Sequence, residues 1–208
     1  MDIFYDFDGT LFDTYPAMVE AFATMASTFD VRVDEKQVYR QMRQGSLGHA
    51  LKIFSKENGV DQVIVEKTFR HHESEILVKS RPFAYVDELL SRVKQTGGRN
   101  YLLTHRNQAA IELLDQFRLK ELFTDFVTGD MTFPRKPDPA SLDYLIRRND
   151  VDKKTAYMIG DRNLDIDAAH NAGIKGILFD PDQIIEVSSH PEFEATTFLE
   201  ITNYLLKN

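Results

Sequence analysis

Short apolar runs of β character recur at Ile3–Phe7, Asn100–Thr104, Asp125–Thr128, Ala156–Gly160 and Gly176–Phe179. Between the later ones lie stretches of helical period at Val86–Thr96, Gln108–Phe117, Pro139–Arg148 and Leu164–Ala172. No other feature restricts the fold as much, because strand followed by helix, repeated, predicts a parallel sheet covered on both faces. Residues 16–80 break the alternation and read as helices throughout. Pro16 suits the first position of one helix, and Asp34 precedes a second, Glu35–Arg43. Ser46 precedes a third that ends at Asn58-Gly59, and Asp61 a fourth that runs to about Lys79. The expectation is an α/β fold: a doubly wound, Rossmann-like parallel-sheet core from residues 1–15 and 83–208, with a small α-helical cap inserted at 16–82. The borders Thr14-Tyr15-Pro16 and Ser80-Arg81-Pro82 have the short paired form of hinges.

A doubly wound sheet binds ligands outside the carboxyl ends of its strands, so those ends carry the functional reading. The first delivers Asp6 and Asp8, the second Thr104-His105-Arg106, and the fourth Gly160-Asp161 followed by Asp165. The loop after the third strand carries Lys136 within Arg135-Lys136-Pro137-Asp138-Pro139. Several carboxylates converging in a crevice repel one another by several kcal/mol at an effective dielectric constant of about 20, unless a cation compensates. The chain has no cysteine, and the strand ends carry no paired histidines. Hard oxygen ligands alone favour Mg²⁺ over zinc. Lys136 adds a fixed positive charge and Thr104 a hydroxyl donor, and together they suit a phosphoryl group.

These residues resemble the haloacid dehalogenase superfamily, and the resemblance spans nearly the whole chain. DFDGTLFDT at Asp6–Thr14 is similar to its first motif, LLTHR around Thr104 to the second, RKPDPA around Lys136 to the third, and GDRNLDIDAAHNAG at Gly160–Gly173 to the fourth. The helical stretch between the first two is similar to the small cap of the phosphoglycolate phosphatase and β-phosphoglucomutase branch. The resemblance implies a Mg²⁺-dependent phosphatase acting on a small phosphate monoester, with Asp6 as nucleophile and Asp8 as general acid and base. It implies metal ligation by Asp6, the Asp8 main-chain carbonyl and Asp161, with Asp165 either a direct ligand or one that acts from behind them, and charge stabilisation by Thr104 and Lys136. Gly9 would turn the chain so that backbone amides face the phosphate. His105 stands where the family usually has a small residue, which makes it a candidate for contact with substrate. Arg162 is a second departure, at a position where this branch often has Ser. Arg40, Arg43 and the Gly45-Ser46-Leu47-Gly48 loop resemble the specificity loop of related caps, where an arginine recognises a carboxylate or second phosphate. A mutase of the β-phosphoglucomutase type is the alternative on the same core. A non-catalytic or receiver-like phospho-acceptor is another, although a receiver has neither an acceptor on the first strand nor a helical insert.

The remaining expectations concern partners. With 33 acidic against 25 basic side chains the formal charge is −8, which repels a phosphate backbone and argues against nucleic acid. No leader-like or membrane-spanning run is present, so the reading is a cytoplasmic protein, monomeric or homodimeric, whose partner is a small phosphorylated metabolite. Asp13 is read as a cap for the first motif's turn or the first cap helix, and Asp138 as the cap of the helix beginning at Pro139.

Overall fold

The computed structural model describes residues 1–206. Strand β1 (Asp2–Tyr5) and a two-residue β2 (Phe12–Asp13) open the chain. Four helices follow, α1 (Tyr15–Ser27), α2 (Glu35–Gln44), α3 (Leu47–Asn58) and α4 (Gln62–Ile76), then a short β3 (Arg81–Pro82) that pairs with β2. The remainder alternates: α5 (Val86–Gln95), β4 (Arg99–Leu103), α6 (Ala109–Gln116), β5 (Phe123–Val127), α7 (Ala140–Arg148), β6 (Ala156–Gly160), α8 (Asn163–Asn171) and β7 (Lys175–Phe179). It closes with β8 (Phe193–Ala195) and α9 (Phe198–Leu205). The residues fall into two compact units, one of Met1–Phe12, Pro82–Gln183 and Val187 onward, the other of Asp13–Arg81 with Ile184–Glu186.

In the first unit six parallel strands form one sheet in the order β5-β4-β1-β6-β7-β8. Every residue of β1 is buried, as a central strand covered on both faces requires. The chain works outward from β4 to β5, then returns to the other edge of β1 as β6, so the winding reverses beside β1. That reversal creates a crevice at the carboxyl ends of β1, β4 and β6. β1 begins at Asp2 and ends at Tyr5, one residue earlier than the apolar run starting at Ile3 implies and two before its end at Phe7. The reason is electrostatic. Asp2 stands opposite Arg99 in the parallel register, and the Arg99 guanidinium donates to both carboxylate oxygens, Nε at 2.6 Å and Nη2 at 3.1 Å. A paired carboxylate can enter a buried ladder that an unpaired one cannot. Asn100 is fully buried for a similar reason: its Oδ1 accepts from Tyr5 at 3.0 Å and its Nδ2 donates to the Leu90 and Leu122 carbonyls at 3.0 Å.

The second unit is helical, and its core is aromatic. Phe22 packs edge-on against Phe54 and Phe69, with centroids 5.6 and 6.4 Å apart. The expected caps form here: Asp34 accepts from the Lys36 and Gln37 amides, Ser46 from His49, and Asp61 from Val63 and Ile64. The first helix differs in detail. Thr14 occupies its cap position and Tyr15 its first turn, which puts Pro16 second and leaves Asp13 outside the helix. Proline is tolerated at either place, since those N–H groups have no partner within the helix. In the other unit, Asp138 Oδ1 accepts from the Ala140 amide at 2.9 Å at the start of α7. No helix among the described residues is long and apolar enough to cross a membrane.

Candidate active site

The ladder of β1 continues one residue past the strand, as the Asp6 amide donates to the Ile159 carbonyl at 2.9 Å. The chain then turns tightly. The Phe7 carbonyl accepts from Phe12 at 3.1 Å, and Gly9, at φ 71°, donates to the Phe12 carbonyl at 2.9 Å. Residues with a Cβ enter that left-handed region only at a steric cost, which explains glycine at the turn. Phe7 and Phe12 stack at 4.7 Å beneath it and anchor the loop to the core.

Three further strand ends supply the rest. Asp161 follows β6, and Asp165 lies in the first turn of α8. The side chains of Asp6, Asp161 and Asp165 are all buried and offer oxygens within 4.8 Å of one another. Gly160 makes this approach feasible, since a Cβ at that position would run into the Asp165 side chain. Lys136 enters from the loop after β5 with its side chain 1 % exposed, and its Nζ lies 2.9 Å from Asp6 Oδ1 and 2.5 Å from Asp165 Oδ1. The second Asp165 oxygen accepts from the Arg162 amide at 3.2 Å, so both of its oxygens are committed. Arg162 Nε stands 3.7 Å from Asp161 Oδ1.

Burial and crowding decide the protonation of this cluster. Burial pushes the Asp6 carboxyl up to about 7 against the pull of Lys136, with Asp165 and Asp161 adding to the rise and Arg162 opposing it. For Lys136, burial alone works against the ammonium, but Asp165 and Asp6 outweigh it and raise its pKa above the ordinary lysine value. The donor set is oxygen only, buried and short of positive charge. Such a set fits a hard divalent cation, and no thiol or imidazole competes.

Thr104 is buried at the end of β4, and its Oγ1 accepts from the Arg106 amide at 3.0 Å, which leaves its own hydrogen free to donate elsewhere. His105 turns toward the lysine loop. The Lys136 backbone amide donates to His105 Nε2 at 3.1 Å, which fixes the proton on Nδ1 and makes the 3.2 Å approach of Arg135 Nε a close contact between two donors. Burial, with Lys136 and Arg135 nearby, holds the imidazole down at about 3. The ring is thus occupied in propping the segment that delivers Lys136. Arg43 and Gly45 belong to the helical unit, at the end of α2. Arg43 is buried with its guanidinium 5.2 Å from the Tyr15 ring centre, and a Cβ on Gly45 would press on the Gln41 carbonyl and the His49 ring.

One residue at the site was named in the sequence only as part of the second strand end and given no role. Arg106 pairs with Asp8, donating from Nε to Oδ1 and Oδ2 at 2.9 and 3.1 Å and from Nη2 to Oδ1 at 2.8 Å. The two are separated by 98 positions. The available signal was spacing, since Arg106 stands two residues beyond Thr104 as Asp8 stands two beyond Asp6.

Comparison with known proteins identifies the family and the fold. The model of the haloacid dehalogenase-like hydrolases matches residues 3–179. A phosphoglycolate phosphatase of Mesorhizobium japonicum is 30 % identical over 86 % of this chain and 82 % of its own length. That of Agrobacterium fabrum is 26 % identical over 98 % of this chain and 91 % of its own. Among solved structures, a predicted phosphoglycolate phosphatase from Haemophilus somnus has the same fold, with a TM-score of 0.83 at 22 % identity over 97 % of this chain and 96 % of that one.

Proposed function

The chain belongs to the haloacid dehalogenase-like hydrolases, and from that premise we propose a Mg²⁺-dependent phosphatase that hydrolyses a small phosphate monoester through an aspartyl-phosphate on Asp6. The observation that carries this reading is the bridge of Lys136 between Asp6 and Asp165 inside the buried acidic cluster. A lysine so held is a fixed positive charge beside the attacking carboxylate, placed to stabilise charge on a transferring phosphoryl group.

Asp6 attacks the phosphorus, forming an O–P bond as the bond to the leaving oxygen breaks. Asp8 gives a proton to the departing alkoxide, then takes one from the water that opens the acyl phosphate, so that inorganic phosphate leaves and Asp6 is restored. Acid–base catalysis of this kind contributes roughly 10²- to 10⁴-fold. Thr104 and Lys136 stabilise charge on the equatorial oxygens. The Asp6 and Asp161 carboxylates and the Asp8 carbonyl would hold Mg²⁺, which supplies Lewis-acid stabilisation of the phosphoryl oxygens when bound. Asp165, with both oxygens engaged, serves chiefly to aim Lys136. Three carboxylates against Lys136 and Arg162 leave one negative charge in excess, and a divalent ion converts that to one positive, which suits a phosphate dianion. The Gly9 turn would present amides to the phosphate, and Arg43 with the Gly45 loop would contribute to choice of substrate.

The names of the relatives make phosphoglycolate the first substrate to try. Purified protein should release inorganic phosphate from it or from another small monoester, lose that activity in EDTA and regain it with Mg²⁺. Turnover indifferent to chelation would remove the metal, and no release from a broad panel of monoesters would remove the phosphatase.

A further inference from the structure

The Asp8–Arg106 pair poses a problem for the chemistry just described. Both oxygens of Asp8 face the guanidinium, and the Arg106 side chain is only 7 % exposed. A carboxylate whose two oxygens both accept from an arginine is not set to give a proton to a leaving group. The backbone at Arg106 is also pinned on both sides, by its amide on Thr104 Oγ1 at 3.0 Å and by its carbonyl, which accepts from Gly129 at 2.7 Å. The guanidinium is therefore set in place by the fold rather than trailing from a loose loop.

We propose that Arg106 is a specificity-determining residue that exchanges the Asp8 carboxylate for a carboxylate carried by the substrate. The inference rests on the phosphatase reading. Arg106 has no necessary part in neutralising the transferring phosphoryl group, because Lys136 already stands against Asp6. What its planar fork matches is a carboxylate, and Asp8 occupies that fork as an internal occupant of the same chemistry. A substrate bearing a second anion near the phosphate would take over those N–H donors and release Asp8 toward the leaving oxygen. A monoester lacking that anion would leave the pair closed. Selection would then come from a competition inside the site: only the carboxylate-bearing ligand repays breaking a partly buried pair.

Two measurements test it. The first compares kcat/KM for phosphoglycolate with that for ethyl phosphate, which lacks the carboxylate. The parent should prefer phosphoglycolate, Arg106→Gln should reduce the preference tenfold or more, and Arg106→Lys should restore part of it. An unchanged ratio in Arg106→Gln, whether or not both rates fall, would overturn the role. A parent that hydrolyses neither ester nor any other monoester would instead defeat the phosphatase reading beneath it. The second measurement needs no turnover and uses glycolate as the probe in titration calorimetry. Asp8→Asn removes the internal competitor and should bind glycolate at least tenfold more tightly than the parent, while Arg106→Gln should lose that binding. Equal affinity in Asp8→Asn and the parent would overturn the exchange.

Discussion

In the α/β unit the deeply buried side chains of Asp6, Lys136, Asp161 and Asp165 gather at adjacent strand ends, whereas the core of the helical unit is built mainly from aromatic and aliphatic side chains. Arg43 lies over Tyr15, and Glu73 accepts from Arg70 at 2.6 Å one helical turn earlier. Charges placed together raise one another's energy, and such an arrangement persists where the surplus serves chemistry. The contrast marks the α/β unit as the place where charge is crowded and the helical unit, in energetic terms, as chiefly a hydrophobic assembly.

The largest expected effect tests that division directly. Asp6→Asn should bring turnover below detection while the protein stays folded, because the amide keeps the shape of the carboxyl and an oxygen for Lys136. Burial already disfavours the ionised form of Asp6, so the substitution should leave the urea midpoint at pH 7 equal or higher. Residual phosphatase activity in folded protein would remove the nucleophile. The reverse pattern is expected of Phe69→Ala. Its ring is fully buried among Phe22 and the apolar residues of α1 to α4, and truncation should cost roughly 3–5 kcal/mol by urea unfolding. Whatever fraction remains folded should turn over at the parent's kcat, and a kcat that fell with it would break the comparison.

What the sequence disclosed follows the same division between local and distant causes. The repeat of strand and helix, and the caps at Asp34, Ser46 and Asp61, depend on neighbours within a few positions and were legible. The acidic cluster was legible because strand ends in a doubly wound sheet converge whatever their separation along the chain. Asp2 as a strand residue was not, since its admission to the ladder depends on Arg99, 97 positions away. The Asp8–Arg106 pair was hidden for the same reason. The final β8 and α9 were missed for a different one. β8 has only three residues, but Thr197 and Glu200 form a reciprocal cap at the start of α9, and that spacing was present to be seen.

A smaller effect sharpens the comparison through pH. In metal-free protein the Asp6 carboxyl, at about 7 when folded against 3.8 unfolded, keeps its proton longer in the folded state. Its contribution to stability is full at low pH and drains as pH rises from about 4 through 7. His105 does the opposite. Held at about 3 against 6.5, it leaves the unfolded chain to bind the proton first, so stability drains as pH falls from 6.5 toward 3. Between pH 4 and 6.5 the two slopes oppose. Removing the imidazole with His105→Gln should therefore make the variant gain on the parent as the medium is acidified across that range. Urea midpoints in EDTA at several pH values would show it, and a difference that did not vary with pH would mean that His105 is not held neutral.

The smallest effect belongs to the helical unit and probes whether its role is only structural. Asp61 caps α4, its Oδ1 accepting from Val63 at 2.9 Å and Ile64 at 3.2 Å. Alanine there leaves two first-turn amides to water and withdraws a negative charge from the positive end of the helix dipole. Together these cost about 1 kcal/mol, enough to lower the urea midpoint measurably and too little to unfold the protein. Because Asp61 makes its contacts within its own helix, kcat and KM should both match the parent at a temperature where each is fully folded. If kcat fell instead, with the folded fraction unchanged, the helical unit would be contributing to the chemical step, and the assignment of all catalysis to the clustered charges of the α/β unit would have to be given up.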